Sequence, residues 1–154
     1  MPPGQGRIIG LDTGSRRIGV AVSDALGFTA QARGVIERTS LKKDLNEIKE
    51  WVSNEEAVKI VVGLPVNMNG SLGPQAKAAL AFKELIQGEL SVPVVTWDER
   101  LTSRAAEGIL LEGDLSRAKR KAKIDSLAAQ VMLQSYLESE RAQRRRAEEK
   151  NKTV

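Results

Sequence analysis

A chain of 154 residues, 41% hydrophobic and 29% charged, has the makeup of one soluble domain able to bury a core without covalent staples. It contains neither cysteine nor histidine, which excludes disulfides, thiolate nucleophiles, Ser-His-Asp machinery and both cysteine-bound and HExxH zinc. The formal net charge is +4, and the positive side chains crowd two segments, 117–123 and 141–146, a balance that favours a polyanionic partner.

No apolar run approaches the ~18 residues of a membrane span. The first residues, Met1-Pro2-Pro3-Gly4-Gln5-Gly6, lack a signal-peptide core, so a cytoplasmic protein with no membrane partner is expected. Residues 7–12 and 17–23 read as two strands joined by the turn Thr13-Gly14-Ser15-Arg16, and a third near 32–38 would complete an antiparallel meander. Leu41, Leu45, Ile48 and Val52 recur at helical spacing behind Ser40, a suitable N-cap. Lys59-Ile60-Val61-Val62 has the continuous apolar character of a strand buried on both faces. The turn-rich loop 63–74 leads into a helix over about 74–88. A strand follows from Val92 to Trp97 and ends on Asp98-Glu99. Thr102 or Ser103 can cap a helix reaching about Glu112, where Gly113 stops it. A last helix starts near Ser116 and carries Ile124, Leu127, Ala128 and Val131 on one stripe.

Alternating strands and helices in the second half imply right-handed parallel crossovers and an α/β fold. The domain is expected to span 1–138. Residues 139–154 form a charged tail, a solvated helix that frays into disorder.

Carboxylates carry the chemistry. Asp12 closes the first apolar strand, Asp98 and Glu99 close the last, and Asp125 lies beside the apolar stripe of the final helix. Each has an ordinary explanation: a strand turn, a helix-start acid, or an ion pair with Lys121 or Lys123. Together, acids from neighbouring strand ends and a helix make an oxygen-lined pocket suited to Mg²⁺ or Mn²⁺, the engine of phosphodiester hydrolysis without histidine. Glu99 is the preferred third ligand because strand neighbours alternate faces, with Asp98 in reserve should the strand end early. Ala128 and Ala129 would let the helix pack close enough to bring Asp125 to the strand ends. Phosphate contacts are expected from Arg16, Arg17, Asn67, Asn69, Ser71, Arg100, Lys121 and Lys123.

Asp12-x-Gly-x-x-Arg17-x-Gly19, Val62-Gly63-Leu64-Pro65-x-Asn67-Met68-x-Gly70-Ser71, Asp98-Glu99-Arg100-Leu101-Thr102 and Ile124-Asp125-Ser126-x-Ala128-Ala129 together resemble the YqgF (RuvX) family. The resemblance runs from about Arg7 to Leu137. Its members are small bacterial proteins described as Holliday junction resolvases or pre-16S rRNA nucleases. The resemblance implies a ribonuclease H-like fold, a central mixed five-stranded sheet of three antiparallel then two parallel strands with helices on both faces. It also implies acid ligands at Asp12, Glu99 (or Asp98) and Asp125, dependence on Mg²⁺ or Mn²⁺, pre-rRNA or branched DNA as partner, and self-association to a homodimer. On this reading Asp12 bridges two ions roughly 3.5–4 Å apart, with Glu99 and Asp125 each holding one side. Some nucleases of the wider superfamily carry a second acid one turn further along the last helix; here Ser126-Leu127-Ala128-Ala129 follows Asp125.

Two other classes compete. Leu11-Asp12-Thr13-Gly14-Ser15 also resembles the first phosphate loop of actin-like and sugar-kinase-like phosphotransferases, but 154 residues cannot supply the two lobes those proteins close over ATP. A non-catalytic RNA-binding module of ribosome assembly would need only the positive charge.

Overall fold

The computed structural model describes the backbone of residues 6–102 and 117–152 and the side chains of residues 6–102 and 124–152. Its elements are β1 (Arg7–Thr13), β2 (Arg17–Ser23), β3 (Ala30–Glu37), α1 (Leu41–Glu55), β4 (Ala57–Leu64), α2 (Pro74–Glu89), β5 (Val94–Asp98), a 3₁₀ turn (Glu99–Leu101) and α3 (Arg117–Lys152). The helix expected between Thr102 and Gly113, and the side chains of Lys121 and Lys123, lie outside the described residues.

Local chemistry explains the element ends. Ser40 Oγ accepts the Lys43 backbone N–H at 3.3 Å and starts α1, as its sequence position suggests. β5 begins at Val94 rather than Val92 because Pro93 has no N–H to give; its carbonyl instead accepts from Ile60 N at 3.0 Å.

The sheet runs β3-β2-β1-β4-β5. β1–β2 and β2–β3 pair antiparallel, while β1–β4 and β4–β5 pair parallel. This is the expected order of three antiparallel strands extended by two parallel ones.

Side-chain alternation then divides the core. Ile9, Leu11, Ile18, Val20, Ile60 and Val62 pack with Ile48 of α1 and Phe82 and Ile86 of α2. The opposite face carries Ala21 and Val61 against Ala129, Met132, Leu133 and Leu137 of α3. Its residues are small where α3 crosses. A Cβ on Gly10 would sit 2.9 Å from Leu133 Cβ, and one on Gly19 would collide with the backbone carbonyl of Asp125. Helix and strand therefore touch backbone to backbone at Gly19.

That contact sets the rotation of α3, and it differs from the stripe read from the sequence. The covered side chains are Ser126, Ala129, Val131, Met132, Leu133, Ser135, Tyr136 and Leu137, so Val131 of the expected stripe is buried, Leu127 and Ala128 are half-buried, and Ile124 is 40% exposed. Helical spacing alone did not reveal which stripe meets the sheet, because the glycine gap in β2 selects it.

Further along, α3 holds the edge strand β3 through side-chain amides. Gln130 Nε2 donates to Ala30 O at 3.0 Å, Ala30 N donates to Gln134 Oε1 at 2.9 Å, and Gln134 Nε2 donates to Phe28 O at 3.0 Å. Lys59 of β4 donates to Tyr136 Oη at 2.9 Å, and Tyr136 donates to Glu140 at 2.5 Å. The helix continues unbroken through residue 139, so the charged extension is helical as far as Lys152. Among the described residues no helix is long and apolar enough to cross a membrane.

Gly19→Ala should lift α3 from β2 and lower stability by on the order of 1–3 kcal/mol, the usual cost of overpacking. Thermal unfolding followed by circular dichroism would measure it. An unchanged melting temperature would contradict backbone contact at this point.

Candidate active site

The same alternation that buries Ile9 and Leu11 turns Ile8, Gly10 and Asp12 toward α3. Asp12 sits at the carboxyl end of β1, paired with Gly19 of β2. Two strands away, β5 ends at Asp98 and the chain turns into the 3₁₀ turn, which carries Glu99 back over β4. Glu99 then lies above Gly63, where a Cβ would meet its Oε1 at 2.5 Å. Asp125 enters from above on α3, at the residue whose carbonyl rests on Gly19. Glycine on both sides of Asp12 thus creates the room in which Asp12 and Glu99 meet, with Asp125 near enough to act on Asp12 through its charge.

Asp12 and Glu99 hydrogen-bond side chain to side chain. Two carboxylates so placed cannot both be charged at low cost. Burial, the Asp12 charge and that hydrogen bond push Glu99 up to about 8. Asp12 is also raised, first by burial and also by the charge of Asp125, while the Glu99 bond works the other way. The proton therefore resides on Glu99, whose hydroxyl donates to Asp12.

Asp98 takes another role. Its Oδ1 caps the 3₁₀ turn by accepting from Arg100 N at 2.9 Å, and its carboxylate grips the Arg100 guanidinium with bonds of 2.7–3.1 Å. That pairing holds Asp98 below the ordinary carboxylate range. Of the two adjacent acids, Glu99 faces Asp12 and Asp98 is tied to Arg100.

The expected phosphate-binding groups are divided as well. Arg100 is occupied by Asp98 and also donates to Met68 O at 3.3 Å, so it braces the loop after β4. Within that loop Asn67 Nδ2 donates to Ser71 Oγ, and Ser71 N and Oγ both reach Asn69 Oδ1. Several donors expected for phosphate are thus spent on shaping the loop. Arg17 Nε donates to Glu37 at 2.8 Å and also feels the Asp125 charge, which places it at the rim. Arg16 is exposed in the β1–β2 turn. Gly14 closes this turn, its N–H donating to Arg17 O at 2.8 Å.

One residue escaped sequence reasoning. Arg38 donates from Nη1 to Gly14 O at 2.9 Å, lies 5.1 Å over the Phe82 ring and is 3.6 Å from the buried Asp44 carboxylate. It braces the turn that follows Asp12. Its only sequence signal is an arginine just before a helix cap, and such arginines are commonplace.

Among the described residues, no three acids are arranged closely enough to enclose a metal ion as they stand. The donor set nevertheless suits a hard divalent cation. It offers only oxygen, it is partly desolvated, and its carboxylates oppose one another strongly enough to retain a proton that a cation would replace.

Residues 6–139 match the family RuvX, described as Holliday junction resolvase. A Clostridium beijerinckii protein is 53% identical over 132 residues, covering 86% of this chain and 96% of its own. A Symbiobacterium thermophilum protein is 52% identical over 136 residues, covering 88% and 94%. Both are named, provisionally, as pre-16S rRNA nucleases. Among solved structures, Thermus thermophilus RuvC in complex with a Holliday junction substrate superposes with a TM-score of 0.56 at 15% identity, covering 87% of this chain and 96% of that one. The fowlpox virus Holliday junction resolvase superposes at 0.50 with 14% identity, covering 86% and 99%. At such identities the likeness is one of fold, and it is the ribonuclease H-like fold the sequence resemblance implies.

Between the ordinary carboxylate range and about pH 8 the folded chain binds more protons at Glu99 than the unfolded chain does. Stability without divalent ions should therefore fall as pH rises through that window. Melting temperatures in chelator at pH 5, 6.5 and 8 should decline, and Mg²⁺ or Mn²⁺ should restore more at pH 8 than at pH 5. Glu99→Gln should flatten the decline; an equally steep profile in that variant would remove the shared proton from the account.

Proposed function

This chain belongs to the RuvX family, and from that membership we propose that it is a metal-dependent nuclease cutting phosphodiester bonds in structured nucleic acid. The observation that carries the reading is the meeting of Asp12 and Glu99 under Asp125 at the carboxyl end of the sheet. Asp12, Glu99 and Asp125 would hold Mg²⁺ or Mn²⁺, with Asp98 outside the set because Arg100 engages it. When bound, such an ion supplies Lewis acidity toward a phosphoryl oxygen and makes water nucleophilic near neutral pH, in a chain that has no histidine to act as base.

The remaining steps rest on the chain's own groups. Asp12 and Glu99 would release their shared proton to solvent and could then hold the ion as carboxylates. Arg17, beside Asp125, offsets the charge of the phosphate flanking the cut, and Arg16 meets the strand at the rim. The braces from Arg38 and Arg100 hold the two loops on either side, so substrate meets preformed walls. Lys121 and Lys123, on the first turns of α3, would continue the phosphate path.

The names of the close relatives favour the end of precursor 16S rRNA as substrate, and the family description favours the four-way DNA junction. Only two Phe, two Trp and one Tyr are present, so recognition leans on backbone and shape rather than on base stacking. A non-catalytic RNA-binding module would have no use for opposed, partly buried carboxylates.

Asp12→Asn keeps the volume and removes one charge. Cleavage of a pre-16S leader and of a four-way junction, each with Mg²⁺ or Mn²⁺, should fall by on the order of 10²-fold or more, while folding and binding persist. Undiminished cleavage by that variant would end the nuclease assignment at this site. The substrate cut faster by the unaltered chain identifies the natural class.

A further inference from the structure

The arginines at the far end of α3 lie beyond residue 139, where the family match stops. Residues 141–147 read Arg-Ala-Gln-Arg-Arg-Arg-Ala, four cations with no acid between them. Glu138, Glu140, Glu148 and Glu149 flank this basic stretch, and its first arginine is docked. Arg141 donates to Phe28 O at 3.2 Å and stacks 5.0 Å over the Phe28 ring, which fixes the helix against the β2–β3 turn. That turn is rigid in its own right, since Asp24 Oδ1 accepts from Phe28 N at 2.7 Å and from Thr29 N at 2.9 Å.

One turn on, Arg144 passes the turn at Gly27, its Nη2 4.0 Å from where a Cβ would stand. Arg145 and Arg146 are exposed. Arg145 and Arg146 enter none of the ion pairs found among the described residues, while the charge of Arg144 acts on Glu140 one turn back. Between β3 and α1 lies a groove bearing Glu47 and Glu50, which would repel phosphate, beside Glu55 in its ion pair with Arg7. A polyanion is therefore steered toward the α3 side.

We propose that Arg144, Arg145 and Arg146 form a second phosphate-contacting surface that grips a double-helical arm of the substrate remote from the cut. The proposal rests on the nuclease reading and extends it to a substrate feature, the length of the arm. α3 is one continuous helix, so at 1.5 Å per residue these arginines lie about 28–32 Å beyond Asp125, or about 8–9 base pairs at 3.4 Å each. An arm shorter than this cannot reach both surfaces.

Fluorescence anisotropy in the Asp12→Asn background tests it, using RNA and DNA arms of 4 to 14 base pairs joined to the same single-stranded end. Affinity should rise about tenfold as the arm passes 8–9 base pairs. The further changes Arg144→Ala, Arg145→Ala and Arg146→Ala, with helicity checked by circular dichroism, should abolish the rise and make the slope of log K against log salt shallower by about 2–3. Whichever of RNA or DNA shows the step names the arm. A step that survives the triple change, a loss equal for short and long arms, or no step at all would each overturn this surface while leaving the acid pocket untouched. Binding to neither nucleic acid at any length would instead overturn the nuclease reading on which it rests.

Discussion

The structure depends on one electrostatic constraint: carboxylates are held where they cannot all be charged at low cost. Asp12 and Glu99 touch, and Asp125 adds its field from the helix above. Left alone, the pair keeps a proton. The tension is imposed by the fold, because each acid is fixed by an element whose position is decided elsewhere. The glycines beside them are the geometric side of the same constraint: any side chain at Gly19 or Gly63 would occupy the space the acids need.

Around this pair, two arginines stabilise the walls without entering the pocket. Arg100 binds Asp98 and the loop after β4, while Arg38 ties the β1–β2 turn to α1 and α2. Arg100 thereby consumes charge that the sequence assigned to substrate. α3 has three successive duties along its length. Its first turns present Asp125, its middle covers the sheet with Ala129, Met132 and Leu133, and its far end secures the edge strand through Gln130 and Gln134. A rigid rod of this kind gives any group on its distal end a fixed distance from the pocket.

Much of this was legible beforehand. Strand alternation and turn residues located β1 to β4 within a few positions, and Ser40 marked the start of α1. The acids stood out because Asp12 and the Asp98-Glu99 pair close apolar strands and Asp125 lies beside the apolar stripe of a helix. What was not legible has a common cause. The rotation of α3, with Ile124 outward, depends on where β2 lacks a Cβ, and a periodic stripe of small and apolar residues permits more than one choice. The engagement of Arg100 with Asp98, and of the loop's amides with one another, likewise depends on neighbours brought together by turns whose shape the sequence only suggests.

By itself the sequence narrowed the class of chemistry: without histidine or cysteine, hydrolysis is left to carboxylates, lysine or metal-activated water, and the basic balance favours a polyanionic partner. It also determined the order of strands and helices, because periodicity and turn chemistry are local. Only the tertiary structure decided that Glu99 rather than Asp98 faces Asp12, and that arginines near the pocket brace loops. Those choices follow from a sharp turn at the end of β5 and from contacts between residues tens of positions apart, where packing and charge outweigh local preference.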